Sequence, residues 1–199
     1  MNARSRQQSV KGKRDDLPWS TDSTMESNVA RVLCYLEDIG AIKDLERCDI
    51  HNKDHEIDFP DTKHGTTRTF LDFRFKLAID PSVPSVPFMW PSAFIMPPNV
   101  GDDEWVWVEV KGFLDSKSKT RFRNMYKQRR DIWDNTMFVV KYDKRFGNLF
   151  DHQIPKKRNT AHAFLRGIGA THSQIWFIED LGDLCRLQMQ GTKYEWEGR

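Results

Sequence analysis

Residues 105–113 read WVWVEVKGF. Side chains of an extended strand point to opposite faces in turn, so this alternation reads as β-strand. Val106, Val108 and Val110 share one face, and Trp105, Trp107, Glu109 and Lys111 share the other. A carboxylate and an ammonium side by side, set among tryptophans and closed by a glycine, admit two readings. One is a solvated ion pair on an exposed face, which is worth little to stability. The other is a catalytic site. The strand leaves both open, and the segments around it decide.

Residues 68–79, RTFLDFRFKLAI, alternate in the same way. Leu71, Phe73, Phe75, Leu77 and Ile79 form one face of a half-buried strand, with Phe70, Asp72, Arg74 and Lys76 on the other. Upstream, STDSTMESNVARVLCYLEDIGAI reads as a helix. Ser23 and Thr24 are N-cap candidates, and Glu26 falls in the first turn. Val29, Val32, Leu33, Leu36 and Ile39 make an apolar stripe at helical spacing, and Gly40 supplies the stop. Residues 44–58 are ambiguous, with a strand around Leu45–Ile50. Downstream, the pattern predicts a helix from Lys117 to Trp133, an apolar strand over 136–142 and a short helix over 160–167. A strand over 174–178 and a helix from Glu179 to Met189 close the chain. Six of the nine prolines fall between residues 80 and 104. Proline excludes regular helix and inner strand, so a long structured loop is expected there. This order of elements is that of an α/β fold, a mixed sheet with helices packed on it.

With 199 residues the chain is long enough to bury a sizeable core. No apolar run approaches a membrane span, and the N-terminus lacks the apolar segment of a secretory signal. The three cysteines, Cys34, Cys48 and Cys185, show no CxxC spacing, which suits a reduced, cytoplasmic setting. Net charge is +2, but it is unevenly spread. Residues 1–14 hold five basic residues and residues 116–130 hold seven, with no acidic residue in either block. Two such blocks suggest a surface that faces a polyanion.

Pairing the two alternating strands lets Asp72, Glu109 and Lys111 converge, and the helix carrying Glu26 can pack beside them. Two or three carboxylates with one lysine suit phosphodiester hydrolysis. Carboxylates hold a hard divalent cation such as Mg²⁺ through oxygen, and such a cation polarises a phosphoryl group and acidifies water. The lysine can orient that water or offset the charge that builds on the phosphorane.

The pattern TFLDF…WVEVKG resembles the PD-(D/E)XK nuclease superfamily. Asp72 matches its first acidic position and Glu109-Val110-Lys111 its E-x-K, while Leu71 stands where the motif has proline. STMESNVARVLCYLEDIGAI resembles the first helix of the phage endonuclease I family, the Holliday-junction-resolving branch, whose early glutamate falls at Glu26. VEVKGFLDSKSKTRFRNMYKQ resembles the same family's E-x-K strand and following basic helix. The resemblance implies a restriction-endonuclease-like, mixed four-stranded sheet flanked by helices. It implies DNA cleavage by Glu26, Asp72, Glu109 and Lys111, with Asp72, Glu109 and Glu26 holding Mg²⁺, or Mn²⁺ as a substitute. It also implies branched or duplex DNA as partner, a homodimer with one site per strand cut, and a phage or mobile-element protein acting in a host cell.

The basic helix extends this reading. Lys119, Arg123, Lys127 and Arg130 recur along one side, with Phe122, Met125, Ile132 and Trp133 free to face the sheet. Together with Lys117 and Arg121 they are the expected DNA contacts, suited to phosphates, which position a duplex without reading its sequence. Three domain segments are expected: a basic disordered tail at 1–19, a nuclease core at 20–142 with the proline-rich insertion at 80–104, and an extension at 143–199 packed on the core.

Other readings compete. Cys48, His51, His55 and His64 form a loose cluster that could bind zinc, without a second arm in familiar spacing. A non-catalytic nucleic-acid-binding module would use the basic blocks, with Trp90, Trp105, Trp107 and Tyr126 stacking on bases. An interaction or inhibitor protein on a nuclease-like scaffold is a third possibility, since fold does not imply function. Within the superfamily, restriction, repair and transposon end-cleaving nucleases are further options.

Overall fold

The computed structural model describes residues 12–60, 66–78, 103–141 and 161–197. The proline-rich segment expected as a loop, His64, Trp90 and the basic stretch at 143–160 lie outside these residues.

Nine strands and five helices are described. In chain order they are β1 (Gly12–Lys13), β2 (Ser20–Thr21), α1 (Thr24–Asp38), β3 (Ile42–Arg47), β4 (Ile57–Phe59), β5 (Thr67–Thr69), β6 (Phe73–Leu77) and β7 (Val106–Lys111). There follow α2 (Ser116–Gln128), α3 (Arg130–Asp134), β8 (Thr136–Val140), α4 (Ala161–Gly167), β9 (Ile175–Phe177) and α5 (Ile178–Gln188).

The main sheet is mixed and has five strands in the order β3-β6-β7-β8-β9. The four-stranded expectation is corrected by β9, which comes from the C-terminal extension and pairs parallel to β8. The β6 strand runs antiparallel to both β3 and β7, and β7 and β8 run parallel, joined through α2 and α3. Parallel neighbours require such a crossover, and it hangs the basic helix directly after the E-x-K strand.

Strand alternation divides the core in two. Phe73, Phe75, Val106, Val108, Met137 and Val139 pack under α1 and α5. Trp107, Phe138, Val140 and Ile175 pack with Phe122 and Met125 of α2 and Ile132 and Trp133 of α3. The four apolar residues expected to face the sheet from the basic helix therefore do so. The helix itself is two helices, broken at Arg129, whose backbone leaves the helical region at φ −134°, ψ 61°.

The first helix forms as its signals predict. The Ser23 hydroxyl accepts from the Glu26 N–H at its N-terminus, a cap worth about 1 kcal/mol. Gly40 takes a left-handed φ of 73° just past its end. The strand over 68–79 is instead split. Thr67–Thr69 pairs with Ile57–Phe59 in a separate ribbon, and Phe73–Leu77 enters the main sheet. The break at residues 70–72 sends Leu71 into the α2-side core, opposite to Phe73. It also leaves Asp72 at the entrance of β6.

Residues 12–19, expected as part of a disordered tail, are packed on the body. Leu17 is buried in the α1-side core, Arg31 pairs with Asp16 and Glu197, and Arg14 pairs with Glu197. This partly buried network fastens both ends of the described chain to α1.

Candidate active site

Asp72 is held by the backbone of β7. Its N–H donates to the Val108 carbonyl at 3.0 Å, and its Oδ2 accepts from the Val110 N–H at 2.6 Å. The side chain is thus fixed between Val108 and Val110, beside Glu109. Burial raises its pKa well above the ordinary carboxylate range, and the neighbouring charges of Glu109 and Glu26 push it further in that direction. The Val110 N–H and the Lys111 charge oppose this rise. Glu26, Glu109 and Lys111 therefore all lie within electrostatic reach of Asp72.

Glu109 is 1% exposed, which removes the reading of Glu109 and Lys111 as a solvated surface pair. Its Oε1 accepts from Lys111 Nζ at 3.0 Å and also from Arg121 Nη2. Its Oε2 is buried and has no hydrogen-bond partner among the described residues. Leaving such an atom unpaired costs free energy, so a native structure that keeps one calls for a reason.

Glu26 is 6% exposed and reaches the site from the first turn of α1. Its Oε2 accepts from the Asp22 N–H at 2.9 Å, and its Oε1 lies 3.4 Å from Arg47 Nε. Burial raises its pKa, and the Asp22 N–H and Arg47 pull it back. A bulge in β3 brings Arg47 there. Asp44 adopts a left-handed φ of 54°, and the pairing register with β6 shifts between Lys43 and Glu46. A bulge of this kind re-aims the side chains after it.

Among the described residues, no group of three or more His, Cys, Asp or Glu side chains is placed to hold a metal ion. The three-carboxylate set expected from the sequence is thus not a formed cage. Two of its members nevertheless fit a hard cation. Among the described residues, Glu109 offers a buried, unpartnered oxygen, and Asp72 is held by the Val110 N–H rather than by an ion pair. Oxygen donors of this type suit Mg²⁺ or Mn²⁺.

Arg121 corrects one expected role. It points inward to Glu109 and also donates to Thr69 Oγ1 at 3.2 Å and the Phe70 carbonyl at 3.4 Å. It belongs to the site rather than to the outward basic stripe. Helical spacing carried the signal, because residue 121 shares the inward side with Ser118, Phe122 and Met125. Arg123 and Lys127 are exposed as expected, and so is Lys117. Lys119 is half-buried beside the Phe164 ring. Arg130 is tied to Asp134 at 2.8 Å.

The zinc alternative finds its central histidine occupied. His55 Nδ1 accepts from the Asp49 N–H at 2.9 Å, and Nε2 lies 2.7 Å from Glu46 Oε2. The Cys48 thiol is pushed up to about 12 by burial. Stacking platforms are likewise committed. Trp107 is buried, and Trp105 carries the Arg74 guanidinium 4.0 Å from its ring centroid.

Comparisons with family models, with curated proteins and with solved structures return no match. Among the described residues no helix is long and apolar enough to cross a membrane.

Proposed function

We propose that this chain is a divalent-metal-dependent endodeoxyribonuclease with a restriction-endonuclease-like core, acting on branched or structured DNA. The observation that carries the reading is the junction of β6 and β7, where Asp72 and Glu109 lie together beside Lys111, with one Glu109 oxygen buried and unpaired. A purely structural ion cluster has no use for that oxygen.

Asp72 and Glu109 would hold the cation, with Glu26 at its margin. When bound, the cation supplies Lewis-acid polarisation of the scissile phosphoryl group. The chain's own residues do the rest. The Val110 N–H orients Asp72. Arg121 and Lys111 together fix Glu109 in one rotamer. The Lys111 ammonium is held at 3.0 Å from Glu109, and its charge also acts on Asp72. It can orient an attacking water or offset charge building on the phosphorane, an electrostatic role that gains strength in a desolvated site. Lys117, Arg123 and Lys127 on α2 supply phosphate contacts beside it.

A homodimer carrying two such sites is the arrangement that paired cuts in a branched substrate require. A second reading rests on the saturation of Glu109 Oε1 by two cations: a non-catalytic DNA-binding module in which this cluster is structural. Incubating the protein with linear duplex, single strand and a four-way junction, each with Mg²⁺, Mn²⁺ or EDTA, separates the two. Cleavage abolished by EDTA supports the nuclease and ranks its substrates. Binding without cleavage in every metal supports the module.

A further inference from the structure

Where the second half of α2 meets the turn after α4, the surface forms an open groove of about 410 Å³. It is lined by Arg123, Tyr126 and Lys127 from α2, by Arg166 and Gly167 at the end of α4 and by Gly169 from the turn. Neither Arg123, Lys127 nor Arg166 is paired with a carboxylate among the described residues. Three unneutralised cations around one groove are a site for an anion. The C-terminal end of α4 opposes this with at most roughly half a negative charge, so the cations prevail.

The groove is also built rather than incidental. The Arg123 guanidinium rests 5.0 Å from the Phe164 ring centroid, which limits its freedom before any ligand arrives. Arg166 donates to the Ala170 carbonyl, which anchors its guanidinium at the rim. Tyr126 is wedged between Arg130, 4.4 Å from its ring centroid, and the Gly169 backbone. A Cβ at residue 169 would come within 2.5 Å of that ring, and Gly169 also has a φ of 109°, so glycine is what lets the turn close on Tyr126. The Tyr126 hydroxyl has no hydrogen-bond partner among the described residues.

The geometry points to a phosphodiester subsite for one nucleic-acid strand in this groove, with Arg166 and Tyr126 as its specific contacts. The occupant follows from continuity. The same helix carries Arg121 in the candidate active site, and residues 121 and 127 are about 9 Å apart along its axis at 1.5 Å per residue. That is close to the rise of two or three nucleotides along one strand. The groove would therefore grip a strand a few nucleotides from the reacting phosphate. The identity of the occupant rests on the nuclease reading, but the test does not require cleavage.

The test is fluorescence anisotropy with a labelled oligonucleotide in EDTA, over a range of salt, for wild type, Arg166→Ala, Arg166→Lys and Tyr126→Phe. Lys43→Ala, an exposed lysine on β3, is the control. Arg166→Ala should make the plot of log affinity against log salt shallower by about 1, and Arg166→Lys should restore it. Tyr126→Phe should weaken binding roughly 3- to 10-fold, the worth of one hydrogen bond, without changing the slope. Circular dichroism would establish that each variant is folded. If Arg166→Ala fails to fold, Arg166→Lys and Tyr126→Phe still decide. Folded variants that behave like the control would overturn the subsite, and so would competition by inorganic phosphate as effective, per phosphate, as the oligonucleotide. Cleavage in Mg²⁺ with unchanged binding by these variants would leave the nuclease standing and the groove refuted.

Discussion

Replacing Arg121 with alanine removes the guanidinium that holds Glu109, together with its contacts to Thr69 and Phe70. Glu109 is then left buried with Lys111 as its remaining cation and a second oxygen already unpaired. Breaking a buried pair by deleting one partner typically costs about 3–5 kcal/mol. Two features reduce that here. Lys111 stays, and Arg121 is 23% exposed, so water reaches part of the vacated space. A loss of about 2–3 kcal/mol is the resulting expectation, by discounting that range. For a chain of this size it corresponds to a fall in Tm of roughly 4–12 °C. The assay is thermal and urea unfolding in EDTA of wild type, Arg121→Ala, Glu109→Gln and the double variant. In the Glu109→Gln background the buried charge is gone, so Arg121→Ala should cost at least about 1 kcal/mol less, a coupling energy of the size expected for residues in contact. Equal losses in both backgrounds would refute the reasoning and return Arg121 to the DNA-contacting stripe.

Further outcomes follow from the same geometry. Asp72→Asn should stabilise the protein in EDTA. The folded-state pKa of Asp72 is raised, so its penalty is absent below the unfolded value of about 3.9 and grows as pH rises toward the folded value. The Tm difference between Asp72→Asn and wild type should widen over that rise, and Mg²⁺ should raise the Tm of wild type but not of the variant. A constant difference, or an equal Mg²⁺ shift in both, would contradict this. Glu197, pushed down to about 2 by the hydrogen bonds from Arg14 and Arg31, contributes stability that is present above the unfolded value of about 4.3 and lost as pH falls toward 2. Glu197→Gln should flatten the acid limb of the stability curve in that window, measured by urea unfolding against pH. An unaltered limb would show that the terminal network adds nothing. Reversing the charges of Arg123 and Lys127 should weaken DNA binding and reduce its salt slope by about 2, and unchanged affinity at low and high salt would count against the α2 stripe.

The sheet's interior was legible because its strands alternate so regularly. In β7, Val106 and Val108 enter one core and Trp107 the other, as the pattern implies. The first helix was legible because Ser23, Glu26 and Gly40 are local signals that tertiary packing did not override. The break at residues 70–72 was not, because nothing in RTFLDF marks the point at which a strand leaves one sheet for another. The pattern over residues 174–178 marks the fifth strand, but its membership of the sheet depends on pairing between β8 and β9, whose partners lie far apart in sequence. In the site, the proximity of Asp72, Glu109 and Lys111 follows from pairing two adjacent strands. The roles of Arg121 and Arg47 were missed for different reasons. Arg121 was hidden by the basic block around it, although its helical phase placed it inward. Arg47 depends on the β3 bulge, which a left-handed aspartate at position 44 creates without a sequence signature.

The most direct test of the central claim is Lys111→Ala against wild type, with binding and single-turnover cleavage of a labelled four-way junction and a duplex measured in Mg²⁺ and in EDTA. The account predicts that wild type cuts in Mg²⁺ and not in EDTA. It predicts that Lys111→Ala binds comparably and cuts slower by about a hundredfold or more, the scale of a lost catalytic proton-handling group. Equal cleavage by both proteins, or DNA binding by both with no cleavage by either, would contradict it.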